Sequence, residues 1–224
     1  KGNWEVTDYY GLDEKNQTIF YQSVENGSIN RDIYSVKLNG SGKKRLSTQT
    51  GTNGATFSPN FEYYINTYSS STMPAIYSLN NAKTGKEVQS IKKNVALLSK
   101  LQKYDLPSKE FFKLTTEKGH KLNAWMIKPK DFDASKKYPV LMFQYSGPGS
   151  QQVANKWIDT NDLWYMMLSQ QGYIVACVDG RGTGFKGAAF KKATYKDLGK
   201  LEVEDQIDAA KVLGNYNYVD NSRI

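Results

Sequence analysis

The sequence predicts part of a β-propeller over residues 1–100, followed over 101–224 by part of a mostly parallel α/β domain. Three observations carry that division. Short strand-like segments in the first part recur at an offset of 43 residues. Tyrosine, a residue that suits a pleated and half-buried surface, numbers 16, and those of the first part often fall in such strand-like runs. Beyond residue 100 the alternation gives way to continuous apolar runs and a helical period.

The repeat carries Ile33-Tyr34-Ser35 onto Ile76-Tyr77-Ser78, Phe20-Tyr21 onto Tyr63-Tyr64 and Gly42-Lys43 onto Gly85-Lys86. Strands are expected over 18–22 and 32–38, with turn clusters at 25–28, 39–42 and 83–85. A period near 43 built from about four strands suits a propeller blade. A ring closes with roughly four to eight blades, so two imply a longer parent protein.

A short helix is expected over 94–102, with the domain boundary near residue 100 ahead of Pro107. Segments 110–115 and 122–128 read as a hairpin with His120 at its turn. A buried strand over 138–143 leads into the Gly/Pro loop 145–150, and a helix is expected over 157–170. A second buried strand, 173–178, closes on Asp179-Gly-Arg-Gly182. Helix 201–213 carries Val203, Ile207, Ala210 and Leu213 on one face, and a further strand begins at 219–224. With both folds incomplete, sheet edges and apolar segments such as 173–178 are expected to be exposed, and the isolated chain to fold poorly.

Composition narrows the function. The net charge of +8 arises from 30 Lys and Arg against 22 Asp and Glu. The lysines are scattered rather than striped with aromatics, so no nucleic-acid partner is expected. No apolar run approaches the ~20 residues of a membrane span. A single cysteine and a single histidine, Cys177 and His120, give no basis for a metal site, and no cofactor is expected. Cys177 lies in an apolar strand and reads as a buried, inert thiol. The G-x-G-x-x-G spacing at 182–187 lacks a following helix with an apolar face, and Glu202 and Glu204 lie on a helix rather than at a strand end. It therefore reads as turn glycines. G-x-S-x-G does not occur, and His120, read as a solvated turn residue, precedes every candidate nucleophile. The chain carries no complete catalytic apparatus and is expected to be inactive alone.

Six stretches in order resemble the dipeptidyl peptidase IV group of the prolyl oligopeptidase family, particularly its bacterial forms. They are KGNWEV (1–6), KKYP (136–139), QYSGPGSQQ (144–152), VDGRGTG (178–184), LEVEDQ (201–206) and VDNSRI (219–224). The resemblance implies propeller blades ahead of a partial α/β-hydrolase fold that stops just before the nucleophile elbow. It implies a serine exopeptidase releasing N-terminal dipeptides from peptides with a penultimate proline, through an acyl-enzyme. The Ser, Asp and His and the proline-side pocket would lie downstream, and the acidic residues for the substrate's amino terminus upstream. A homodimeric parent that is secreted, periplasmic or on the cell surface is also implied. Tyr145 is similar to the tyrosine whose hydroxyl forms half of the family's oxyanion hole; an ordinary packed loop tyrosine is the alternative. Asp179 and Arg181 read as structural, and Glu202, Glu204 and Asp205 as helix-surface and loop-anchoring carboxylates. Other functions compatible with these residues are a non-catalytic binding protein lacking the serine, or a tripeptidyl or acylaminoacyl peptidase.

Overall fold

The computed structural model describes residues 2–158 and 161–224. The chain forms two compact units: Lys1–Lys103 with Ala154–Trp157, and Tyr104–Val153 with Ile158–Ile224.

Unit 1 contains two four-stranded antiparallel sheets, each in sequential order. The first comprises β1 (Val6–Asp13), β2 (Thr18–Ser23), β3 (Asp32–Lys37) and β4 (Lys44–Arg45). The second comprises β5 (Thr52–Phe57), β6 (Tyr63–Ser70), β7 (Met73–Asn81) and β8 (Glu87–Lys92). The 43-residue repeat is thus one sheet per unit of sequence, with its matched tripeptides on β3 and β7. Alternation sets what each strand buries. Phe20, Ile33 and Leu46 from one repeat meet Tyr64 and Ala82 from the next, flanked by Phe57 and Phe61. Phe20 lies 4.6 Å from Phe57 and stacks on Phe61 at 5.4 Å between centroids. Each such fully buried side chain contributes about 1.5–3 kcal/mol relative to exposure.

The repeat's turn glycines have different surroundings. Gly42 and Gly85 both hold positive φ, +62° and +77°. A Cβ on Gly85 would lie 2.5 Å from the Leu46 carbonyl oxygen, whereas one on Gly42 would meet nothing closer than 3.7 Å. Gly42→Ala should therefore cost only the left-handed backbone penalty, about 1–2 kcal/mol. Gly85→Ala adds a clash with main chain, and thermal melts of the two variants should show the larger fall for Gly85→Ala.

Ala154–Trp157 completes unit 1. Every polar group of Asn155 is used there. Its N–H donates to the Ile29 carbonyl at 2.8 Å and its Nδ2 to Asn30 Oδ1 at 3.1 Å. Its carbonyl accepts from Thr52 Oγ1 at 2.9 Å and its Oδ1 from the Ser71 N–H at 3.0 Å. One asparagine thus joins turns of both sheets. After β8 comes α1 (Val95–Leu101), none of whose residues is buried, and a 3-10 turn, Gln102–Tyr104.

Unit 2 is built on β9 (Glu110–Thr115), β10 (Lys121–Ile127), β11 (Val140–Phe143) and β12 (Ile174–Asp179), in the order β11-β12-β10-β9. Only β11 and β12 run parallel; β12–β10 and β10–β9 are antiparallel. The described sheet is therefore mixed, not mostly parallel, because the β9–β10 hairpin supplies half of its strands. The same pairing corrects the expected exposure of 173–178: β12 has a partner on each side and is buried throughout, and only Tyr173 stays exposed. Leu114, Leu122, Met126, Val140, Ile174 and Val178 share a core with Ala209 and Leu213.

The helices are α2 (Asp162–Gln170), α3 (Ala188–Lys191) and α4 (Lys200–Gly214). The helix expected from Trp157 begins at Asp162, since 154–157 is engaged in unit 1; residues 159 and 160 lie outside the described residues. A single turn, α3, occupies the region where no helix was expected. The segment 219–224 forms one parallel bridge, Val219 to Tyr138, in place of the expected strand. Asp220 ends it locally by accepting from the Ser222 N–H and Oγ and from Arg223 Nε, bonds that hold its carboxyl down at about 2. No helix among the described residues is long and apolar enough to cross a membrane.

Helix α4 departs from its hydropathy. Val203 and Ile207 are 57% and 51% exposed, while Glu202, Asp205 and Asp208 are buried beside Ala209 and Leu213. Glu202 and Asp205 are therefore not helix-surface carboxylates. Each is buried against a donor: Glu202 accepts from the Gly199 N–H at 2.9 Å, and Asp205 accepts from Arg181.

Candidate active site

The run 144–153 leaves β11 without regular structure, and Tyr145 stands near its start, 60% exposed. The ring lies against the Gly147 backbone, where a Cβ would come 3.2 Å from a ring carbon. Gly149, at φ +72°, continues the turn, and the Ser150 N–H closes it on the Gly147 carbonyl at 3.0 Å. Ser150 Oγ donates to the Tyr145 carbonyl at 3.1 Å. Among the described residues the Tyr145 hydroxyl has no hydrogen-bond partner. The arrangement leaves a phenol hydroxyl just past a strand's C-terminal end, available to donate to an oxygen that gains negative charge.

The main chain under this run is held by the turn after β12. Asp179, 3% exposed, accepts from the Gln152 N–H through Oδ1 at 3.0 Å and from the Val153 N–H through Oδ2 at 2.9 Å. Gly149 N–H donates to the Gly182 carbonyl, and Gly184 N–H to the Ser150 carbonyl, each at 2.9 Å. Trp125 Nε1 donates to the Gln152 carbonyl at 3.2 Å. Burial raises the Asp179 carboxyl from its ordinary 3.8 to about 6, against the pull of the two amides and Lys186. Between those values the folded protein keeps a proton that the unfolded chain has released. The Asp179 contribution to stability is thus fully present below about 3.8 and lost as the pH rises through about 6.

Arg181 fixes that turn in place. Its backbone N–H donates to Asp205 Oδ2 at 2.6 Å, its Nη2 to Asp205 Oδ1 at 2.7 Å and to Glu204 Oε2 at 2.9 Å. Asp205 is wholly buried and Glu204 part-exposed, where it also pairs with Lys118. Thr183 Oγ1 donates to the Gly180 carbonyl at 2.8 Å, and Gly182 and Gly187 hold positive φ, +97° and +91°. Tyr145, Asp179 and Arg181 therefore belong to one connected set of loops, which Glu204 and Asp205 tie to helix α4. Among the described residues, His120 and Cys177 do not join it through side-chain hydrogen bonds. His120 is half-buried, not fully solvated, in the turn between β9 and β10, where Thr116 N–H donates to its carbonyl at 2.9 Å. Cys177 is buried on β12, and burial pushes its thiol well up. Among the described residues no group of three His, Cys, Asp or Glu side chains is arranged to hold a metal ion. Sequence reasoning missed Asn155 and the amides of Gln152 and Val153; polar residues in a loop carry no periodic signal.

Residues 1–75 match the family described as the dipeptidyl peptidase IV (DPP IV) N-terminal region, and residues 160–224 match the prolyl oligopeptidase family. The chain is 36% identical over its whole length to a probable dipeptidyl peptidase 4 of Aspergillus flavus, of which it covers 29%. It is 39% identical to a probable dipeptidyl-aminopeptidase B of Arthroderma otae, of which it covers 24%. Among solved structures, dipeptidyl peptidase 4 of Porphyromonas gingivalis matches the whole chain with a TM-score of 0.95 at 48% identity. A putative dipeptidyl aminopeptidase IV of Bacteroides ovatus matches with a TM-score of 0.86 at 29% identity. The chain covers 31% of each of those structures.

Proposed function

We propose that this chain, whose two ends match the dipeptidyl peptidase IV N-terminal region and the prolyl oligopeptidase family, is part of a serine exopeptidase that releases N-terminal dipeptides, with preference for X-Pro. The order of the two matches along one chain is the observation that carries this reading. Residues 1–100 would close a propeller, and residues 101–224 would open an α/β-hydrolase domain. The parent would be a homodimer acting outside the cytoplasm, on peptides with a penultimate proline.

The nucleophilic serine, its Asp and its His would come from parts of the protein outside these residues. Attack of the serine on the proline carbonyl forms a tetrahedral oxyanion, to which the Tyr145 hydroxyl donates. Collapse expels the shortened peptide's amine and leaves the dipeptide as an acyl-enzyme, which water hydrolyses. The exposed and unpartnered phenol supports that role for Tyr145.

The full-length protein should release p-nitroaniline from Gly-Pro-p-nitroanilide, and a serine-directed phosphonate should abolish the release. Faster cleavage of a tripeptidyl or N-acetylated substrate would move the assignment within the family. A folded protein inert to all three would be the non-catalytic binding protein instead.

A further inference from the structure

The Asp179 carboxylate is costly to bury. Among the described residues it forms no ion pair, and its partners are two main-chain amides. Lys186 draws its proton affinity down, yet burial outweighs that pull. At neutral pH the ionised group opposes folding, so contribution to stability does not explain its place. What it does hold is definite: the far end of the irregular run 144–153, near whose start Tyr145 stands. The middle of that run is fixed from the same turn, by Gly182 and Gly184 at Gly149 and Ser150. The turn is itself secured by the buried pair between Arg181 and Asp205.

We propose that Asp179 is a positioning residue for Tyr145: its two carboxylate oxygens, acting with the Gly182–Gly184 backbone, fix the run 144–153 and hence the place of the phenol. This rests on the peptidase reading above. Asp179 touches no substrate; it acts through the amides of Gln152 and Val153. Asp179→Asn keeps the size of the side chain but puts an N–H₂ opposite one backbone N–H. Gly184→Ala perturbs the same run from the other side, because its Cβ would lie 2.9 Å from the Gly149 carbonyl oxygen.

The test is steady-state kinetics of the full-length protein on Gly-Pro-p-nitroanilide, with thermal melts. It compares wild type, Asp179→Asn, Tyr145→Phe, their double variant and Gly184→Ala. A misplacement near 1 Å remote from the reacting atoms reaches about 10²-fold in rate, so Asp179→Asn should lower kcat by roughly 10- to 100-fold with KM within about twofold. Placed on Tyr145→Phe, the same change should cost less than about threefold, because the hydroxyl it positions is gone. A merely structural role would lower both backgrounds equally. Equal losses in the two backgrounds, or a kcat within about threefold of wild type for Asp179→Asn, would overturn the inference while leaving the peptidase intact. If Asp179→Asn melts below the assay temperature, Gly184→Ala carries the test, with the same loss of kcat expected and an unchanged kcat overturning it. A folded wild-type protein inert to Gly-Pro-p-nitroanilide and to the tripeptidyl and N-acetylated substrates alike overturns the peptidase reading itself, and this inference with it.

Discussion

Tyr145→Phe in the full-length protein should lower kcat on an X-Pro substrate by about 10²–10³, or roughly 3–4 kcal/mol, and leave KM nearly unchanged. The hydroxyl is the only atom removed. The ring's contact with the Gly147 backbone survives, and so does the bond from Ser150 Oγ to the Tyr145 carbonyl. In the ground state a carbonyl oxygen has little to gain from one more donor; in the tetrahedral state it carries a full negative charge. The loss should therefore fall on the chemical step. A packed loop tyrosine would behave in the opposite way, with near-normal kcat in the Phe variant. A kcat within about threefold of wild type, alongside an unchanged melt, would remove the oxyanion assignment.

Arg181→Ala should strongly destabilise unit 2. Asp205 is fully buried, and the guanidinium is its only cationic partner among the described residues. Removing it leaves a carboxylate in the interior with one backbone donor, a change that typically costs about 3–5 kcal/mol. At roughly 2–4 °C per kcal/mol for a protein of this size, the unit's melting temperature should fall on the order of 10 °C. Glu204→Gln provides the comparison. Glu204 is part-exposed and shared with Lys118, so its loss should cost less than about 1 kcal/mol. Equal melts for the two variants would show that the buried pair contributes no more than a surface one.

What could be read from sequence followed how local each cause was. Strands β2 and β3 were legible because alternation and turn glycines act within a few residues, and the repeat carried the same signal onto β6 and β7. Strand β12 was legible as a buried strand for the same reason. Its antiparallel neighbour was not, since β10 lies some fifty positions earlier and nothing in the pattern of either announces the pairing. Helix α4 shows the limit most clearly. Its period was right, but the arginine that lets Asp205 turn inward sits 24 residues away, so hydropathy pointed the apolar residues the wrong way. The role assigned to Tyr145 came from the resemblance of QYSGPGSQQ alone; no spacing or polarity in that stretch distinguishes a catalytic phenol from a loop tyrosine.

Asn155 has a consequence for how the chain is made. Unit 1 is discontinuous, and its last four residues follow the bulk of it by some fifty positions. During synthesis Asn155 emerges 84 residues after Ser71 and 125 after Asn30. At about 5–20 residues per second the turns of both sheets wait roughly 4–25 s for the asparagine that satisfies them. Closing so long a loop costs little more than closing a short one, because the entropy grows only with the logarithm of length. The delay is therefore set by translation and not by the search. Both sheets leave the ribosome before their clasp exists, and residues 104–153 must be threaded out in the interval.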